Sequence, residues 1–197
     1  MKFIFIFFLL FSQTVYSQET AATFWNNQCE YKTDGTGKSL GLKIKVTFPC
    51  KWKEEEGERP HIVQKFSYGF KEGKSIIQSL TISQMPAEPS KKEIAEVLTQ
   101  IGLKELASGT GTFVSGRKLK IDGIDCGEVL IKLKRESPVA TIYLYFMHYY
   151  IFFKDKMIVL GFAAGTKSES ETKKLFNSYK TLFQGLATKT VILSKWE

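Results

Sequence analysis

Histidine is scarce in this chain: of 197 residues only His61 and His148 carry an imidazole. Neither lies in an H-x-x-x-H or E-x-x-H spacing, the patterns that set two ligands on one helical face, so the sequence offers no histidine metal centre. No G-x-S-x-G segment occurs, which removes the nucleophile elbow of the serine hydrolases. Cysteine is limited to Cys29, Cys50 and Cys126, an odd number that leaves at least one thiol over. Internal repeats and low-complexity linkers are absent. After the first dozen residues there is also no apolar run approaching the roughly 20 residues a membrane span requires. No cofactor or metal is expected from such a set.

The chain does have an informative beginning. Lys2 precedes an unbroken apolar run over residues 3–11, followed by a short polar tail. That order is the order of a secretory signal peptide. Compact residues at Val15 and Ser17 flank Tyr16, which places the cut after Ser17 and starts the mature chain at Gln18. Nine apolar residues are too few for a retained anchor, and the first cysteine, Cys29, lies well beyond the point where a lipid would be attached. The expected location is periplasmic or secreted, with no stable membrane insertion after cleavage.

Export permits disulfides. Cys29 and Cys50 sit at the edges of the first strand region and are the expected pair, whereas Cys126 follows Ile124 in an apolar strand pattern and is expected as a buried, inert thiol. About 180 residues remain after cleavage, enough for one domain with its own core. The expected division is a signal at 1–17, an N-terminal segment at 18–39 and a single domain at 40–197. Aromatic residues make up 14%, sixteen of them Phe, which points to bulky interior packing. The formal charge of +8 is spread over isolated lysines. Lys43, Lys45, Lys118, Lys120, Lys132 and Lys134 alternate with apolar residues as the wet face of strands does. With export, this reads as a solvated surface and excludes nucleic acid as a partner.

Leu42, Ile44, Val46 and Phe48 alternate with polar residues up to Pro49, the period of a half-buried strand. A charged loop over 51–59 follows, then strands over 61–70 and 75–83 joined by a turn at Glu72 and Gly73. Three strands thus precede the first helix. Ser90 and Glu93 form an S-x-x-E capping box ahead of Ile94, Val97, Leu98 and Ile101, which predicts one amphipathic helix ending between Ile101 and Ala107. Strands over 112–121, 124–135, 139–153 and 157–164 make an antiparallel meander. The third of these is apolar on both alternating sets and is expected to be covered on two faces. A second box, Ser168 with Glu171, opens a helix whose Leu175, Phe176, Tyr179, Leu182, Phe183 and Leu186 form one stripe. Residues 190–196 read as a short edge strand.

Gly37-Lys38-Ser39 resembles the end of a phosphate loop, but Lys32 stands where the first glycine is needed and a strand follows instead of a helix, so a simple turn is expected. The acidic run Glu54, Glu55, Glu56 and Glu58 lacks the alternating oxygens of a calcium loop and reads as a solvated segment. Trp25, Trp52 and Trp196 are the candidate partner-binding residues, because large amphipathic rings serve as interface anchors.

The strand running into Phe48-Pro49-Cys50-Lys51-Trp52, the helix after Pro89, the long antiparallel set and the C-terminal helix together resemble the Mog1/PsbP-like fold over residues 40–186. That resemblance implies an α+β architecture: an α/β/α sandwich with a central, mainly antiparallel sheet flanked by two main helices. It also implies a protein that acts by binding other proteins, as do a regulator of a nuclear-transport GTPase, extrinsic photosystem II subunits and bacterial secretion-associated adaptors. The expected function is a non-enzymatic secreted or periplasmic protein-binding protein, of adaptor or immunity type. The alternative is a hydrolase with a site assembled from Cys50, His61 and acidic loop residues.

Overall fold

The computed structural model describes residues 19–138 and 140–197; the expected signal over 1–17 and its cut before Gln18 lie outside the described residues. The chain opens with helix α1 (Ala21–Trp25) and strands β1 (Gln28–Lys32), β2 (Ile44–Pro49), β3 (Lys53–Glu56), β4 (Ile62–Gly69) and β5 (Ser75–Gln84). Helices α2 (Lys91–Val97) and α3 (Gln100–Ala107) come next. The meander β6 (Thr112–Ile121), β7 (Ile124–Glu136), β8 (Thr141–Phe153) and β9 (Lys156–Thr166) leads to helix α4 (Glu169–Thr188) and strand β10 (Val191–Ile192).

The strands form two sheets. The larger has the order β3-β4-β5-β9-β8-β7-β6 and the smaller β1-β2-β10, and every paired neighbour is antiparallel. Alternation along β8 sorts its rings between two layers, as its doubly apolar sequence predicts. Tyr145, Met147, Tyr149 and Ile151 face one core with the α4 stripe of Phe176, Tyr179, Leu182, Phe183 and Leu186 and with Ile44, Val46 and Phe48 of β2. Tyr150 and Phe152 face a second core with Val129, Ile131, Leu98, Leu103 and Ala107 under α2 and α3. The molecule is therefore the expected α/β/α sandwich.

Local departures have local causes. Ser90 accepts from the Glu93 amide while the Glu93 carboxylate accepts from the Ser90 amide, so the first capping box forms as read. The helix it opens stops early, because Thr99 takes an extended conformation and caps a new helix through the Gly102 amide. Gly102 does not end a helix. It lies inside α3, where a Cβ would fall 2.5 Å from the Val97 carbonyl oxygen and force the two helices apart. The second capping box is not made: the Ser168 hydroxyl turns to Ser170, and the start of α4 is held by Thr172, which donates to the Ser168 carbonyl. Two strands and a helix precede or interrupt the expected elements. β3 lies in the predicted charged loop, and α1 and β1 lie in the segment ahead of residue 40, where β1 pairs with β2.

His148 shows how the second face responds to acid. Its Nδ1 is 3.2 Å from the Tyr150 hydroxyl, and desolvation by burial lowers its pKa to about 4. A histidine depressed in the folded state favours folding fully above its unfolded value of about 6.5, and that contribution is lost as pH falls toward the folded value. Denaturant unfolding is expected to show stability declining between pH 6.5 and about 4. His148→Gln is expected to lack that share of the decline, and an unchanged pH profile in the variant would refute it.

Candidate docking groove

Of the three tryptophans, one is inside. Trp52 is 3% exposed and meets Phe24 edge-on at 5.8 Å between ring centroids, so the core claims it and it drops out of the candidate surface set. Trp196 is 74% exposed, with Lys195 Nζ 5.0 Å from its ring centroid. Trp25 is 41% exposed and lines a groove of about 510 Å³ between α1 and α4.

The local sequence positions Trp25 in steps. Thr20 caps α1 by accepting from the Thr23 amide. Phe24, the next residue along the helix, is buried against Trp52, Tyr68 and Tyr179, which fixes the helix and turns Trp25 outward. Two further ties hold the entry: the Tyr179 hydroxyl donates to the Glu19 carbonyl at 2.5 Å, and Lys51 pairs with the Glu19 carboxylate. Downstream, the expected disulfide joins Cys29 to Cys50, and the Cys50 amide donates to the Asn27 carbonyl. Both ends of this short helix are thereby fastened.

Across the groove, α4 presents Thr181, Leu182, Gln184, Gly185 and Thr188, while α1 presents Ala21, Ala22 and Asn26. Gly185 is the enabling residue. Its missing side chain admits the indole, since a Cβ there would lie 2.3 Å from the Trp25 ring. A glycine inside a helix costs about 1 kcal/mol relative to alanine. Lys189 Nζ sits 4.3 Å from the Trp25 ring centroid and donates to Gln28 Oε1 at 2.6 Å. Gly185→Ala is expected to expel the indole: Trp emission shifts red while unfolding free energy changes by no more than about 1 kcal/mol, because the gained propensity offsets the lost contact. Unchanged emission would show that the ring does not rest on Gly185.

The residues of the hydrolase alternative do not assemble. The Cys50 sulfur is bonded to Cys29, so it supplies no thiolate. Glu55 accepts from Lys53, Lys65 and Ser67 on β3 and β4, and the lysine hydrogen bonds lower its pKa to about 2. His61 is exposed in the turn one residue ahead of β4. Cys126 is buried, and desolvation with the neighbouring Glu128 charge pushes its thiol far above the ordinary value. Glu128 itself is buried. Burial pushes its pKa up, but two hydrogen bonds from Arg117 at 2.6 and 3.0 Å and one from the Tyr149 hydroxyl at 2.8 Å outweigh that and leave it below the usual carboxylate value. An ionised, saturated carboxylate of this kind is a structural acceptor. Among the described residues no cluster of His, Cys, Asp and Glu could hold a metal ion, and no helix is long and apolar enough to cross a membrane. Gly37–Ser39 forms a single 3-10 turn beside a polar hollow of about 350 Å³. Lys38 there is engaged by Glu56 and the Gly57 carbonyl at 2.7 and 2.6 Å.

Sequence reading reached Trp25 but not its setting. A five-residue helix is too short to reveal a period, and Gly185 was the available signal, a helix-weakening residue within an otherwise strong stripe.

No family model matches the chain, and no curated protein matches its sequence. Among solved structures, it superposes on cyanobacterial PsbP (CyanoP) from Synechocystis with a TM-score of 0.51 at 12% identity, covering 84% of this chain and 92% of that one. The fold is Mog1/PsbP-like. LpqN, a protein involved in cell envelope biogenesis of Mycobacterium tuberculosis, aligns at a TM-score of 0.47 and 16% identity over 89% of this chain and 98% of its own. The Saccharomyces cerevisiae Ran-binding protein Mog1p aligns at 0.42 and 14% over 84% and 95%. At these identities the Mog1/PsbP-like likeness concerns the fold alone.

Proposed function

We propose that this chain is a non-enzymatic extracytoplasmic binding protein, of adaptor or immunity type, that docks a partner polypeptide in the groove between α1 and α4. The observation that carries the reading is Trp25, a large ring left 41% exposed in an apolar groove yet fastened from below by Phe24 and from both ends by Glu19 and the disulfide. A rigid aromatic anchor loses little conformational entropy when it is covered, which is why such residues dominate interfaces. Export is supported by the charged and apolar pattern of residues 2–11 and by the Cys29–Cys50 bond, which persists in oxidising compartments. The hydrolase reading loses its nucleophile to the same bond.

The test is co-purification from the envelope fraction with the wild-type chain and with Trp25→Ala, each first shown to melt cooperatively. A partner retained by wild type and lost by Trp25→Ala is the expected result. A partner retained equally by both would place docking elsewhere. N-terminal sequencing of the purified chain is expected to begin at Gln18, and a chain that still begins at Met1 would argue against export through a cleaved signal.

A further inference from the structure

We infer that the occupant of the groove is an acidic segment of the partner with an apolar centre: the apolar anchor sits on Ala21, Ala22, Trp25 and Gly185, and flanking carboxylates meet Lys174 and Lys189. This rests on the docking reading above and adds the partner's chemistry.

Charge carries it. From Thr172 to Trp196 the chain has five lysines and no Asp or Glu, and from Thr20 to Gln28 it has no charged residue at all. The walls of the groove itself are therefore neutral, and past the first turn of α4, which carries Glu169 and Glu171, every charge flanking it on that side is a lysine. Many lysines elsewhere are compensated, among them Lys45 by Glu30, Lys118 and Lys120 by Asp125, and Lys132 by Glu169. On α4, Lys173, Lys174 and Lys180 form no ion pair among the described residues, and Lys189 is held by two neutral groups, the Trp25 ring and the Gln28 amide oxygen. A partner carboxylate arriving here breaks no existing ion pair, so its attraction is not spent on displacing another acid.

Spacing fixes the length of the segment. Lys174, Thr181 and Thr188 recur at seven-residue intervals along one side of α4, so Lys174 stands at one end of the stripe and Lys189 at the other. At about 1.5 Å rise per residue these ends lie about 22 Å apart along the axis, which about six or seven extended residues span. A second copy of this chain is a poor occupant, because it would bring the same lysines to the same groove.

The experiment selects a displayed random peptide library on the full mature chain, then measures the enriched peptides by fluorescence anisotropy. Enrichment of Asp and Glu around apolar centres is expected, with about tenfold weaker binding to Trp25→Ala. The doubly reversed variant Lys174→Glu with Lys189→Glu is expected to weaken binding similarly and to recover it with peptides whose acids are replaced by Lys. Unchanged melting temperatures exclude unfolding. Peptides that need Trp25 but show no acidic bias, or ignore the charge reversal, would overturn this inference and leave the docking groove standing. Absence of any Trp25-dependent peptide would overturn both. Vesicles containing phosphatidylglycerol are the parallel arm: lysine-dependent vesicle binding without a Trp25-dependent peptide would replace the polypeptide by an anionic lipid surface.

Discussion

Replacing both Cys29 and Cys50 by Ser is expected to lower the unfolding free energy by about 3 kcal/mol, the chain-entropy value for a closed loop of this size. The two cysteines are 21 residues apart in sequence. The bond also joins strands already in register, since Cys29 faces Phe48 across β1 and β2, so native geometry is not expected to offset the gain. Replacing both residues avoids a single reactive thiol, and the third cysteine is buried. Urea unfolding monitored by circular dichroism measures the difference. A variant as stable as the wild type would mean that pairing of β1 with β2 needs no covalent support. Because α1 lies immediately upstream, the same variant is expected to loosen Trp25 and redden its emission.

Phe24→Ala is expected to cost about 3–5 kcal/mol, the range for deleting a buried Phe whose surroundings cannot collapse into the space. Phe24 is 1% exposed and shares edge and tilted contacts with Trp52, Tyr68 and Tyr179 at 5.8, 5.0 and 6.0 Å. Those partners come from elements far apart in sequence, so no single side chain can move in to fill the site. Trp25→Ala, one residue along, is expected to cost only about 1 kcal/mol, since the residue is already 41% exposed and its ring rests on Gly185 and Lys189. The contrast separates the two jobs of a five-residue helix. Phe24 holds it down and Trp25 faces outward. Equal losses for the two substitutions would show that Trp25 belongs to the core and not to a docking surface.

The meander was legible because its signals are local and redundant: strict alternation, tight turns such as that at Asp122 and Gly123, and a strand apolar on both faces. The α4 stripe was legible for the same reason, as was the Ser90 box. The short elements were not. α1 has too few residues to display a period, and β3 is a run of Lys and Glu whose pairing with β4 rests on backbone bonds and on ion pairs such as Lys65 with Glu55, neither of which hydrophobic patterning records. The break at Thr99 depended on a capping threonine inside an uninterrupted apolar pattern. At the groove, Trp25 was visible as an aromatic residue, but Trp52 had the same appearance and only packing against Phe24 distinguishes them. Gly185 opposite Trp25 is a contact between residues 160 positions apart, which no local pattern encodes.

The most direct measurement is site-specific photocrosslinking on the exported protein, with a photoreactive side chain at Thr188 on the groove or at Lys92 on the opposite face of the sandwich. A discrete polypeptide adduct from position 188, absent from position 92 and abolished by Trp25→Ala in the same chain, is the expected result. No adduct at 188, or the same adduct from both positions regardless of Trp25, would contradict docking between α1 and α4.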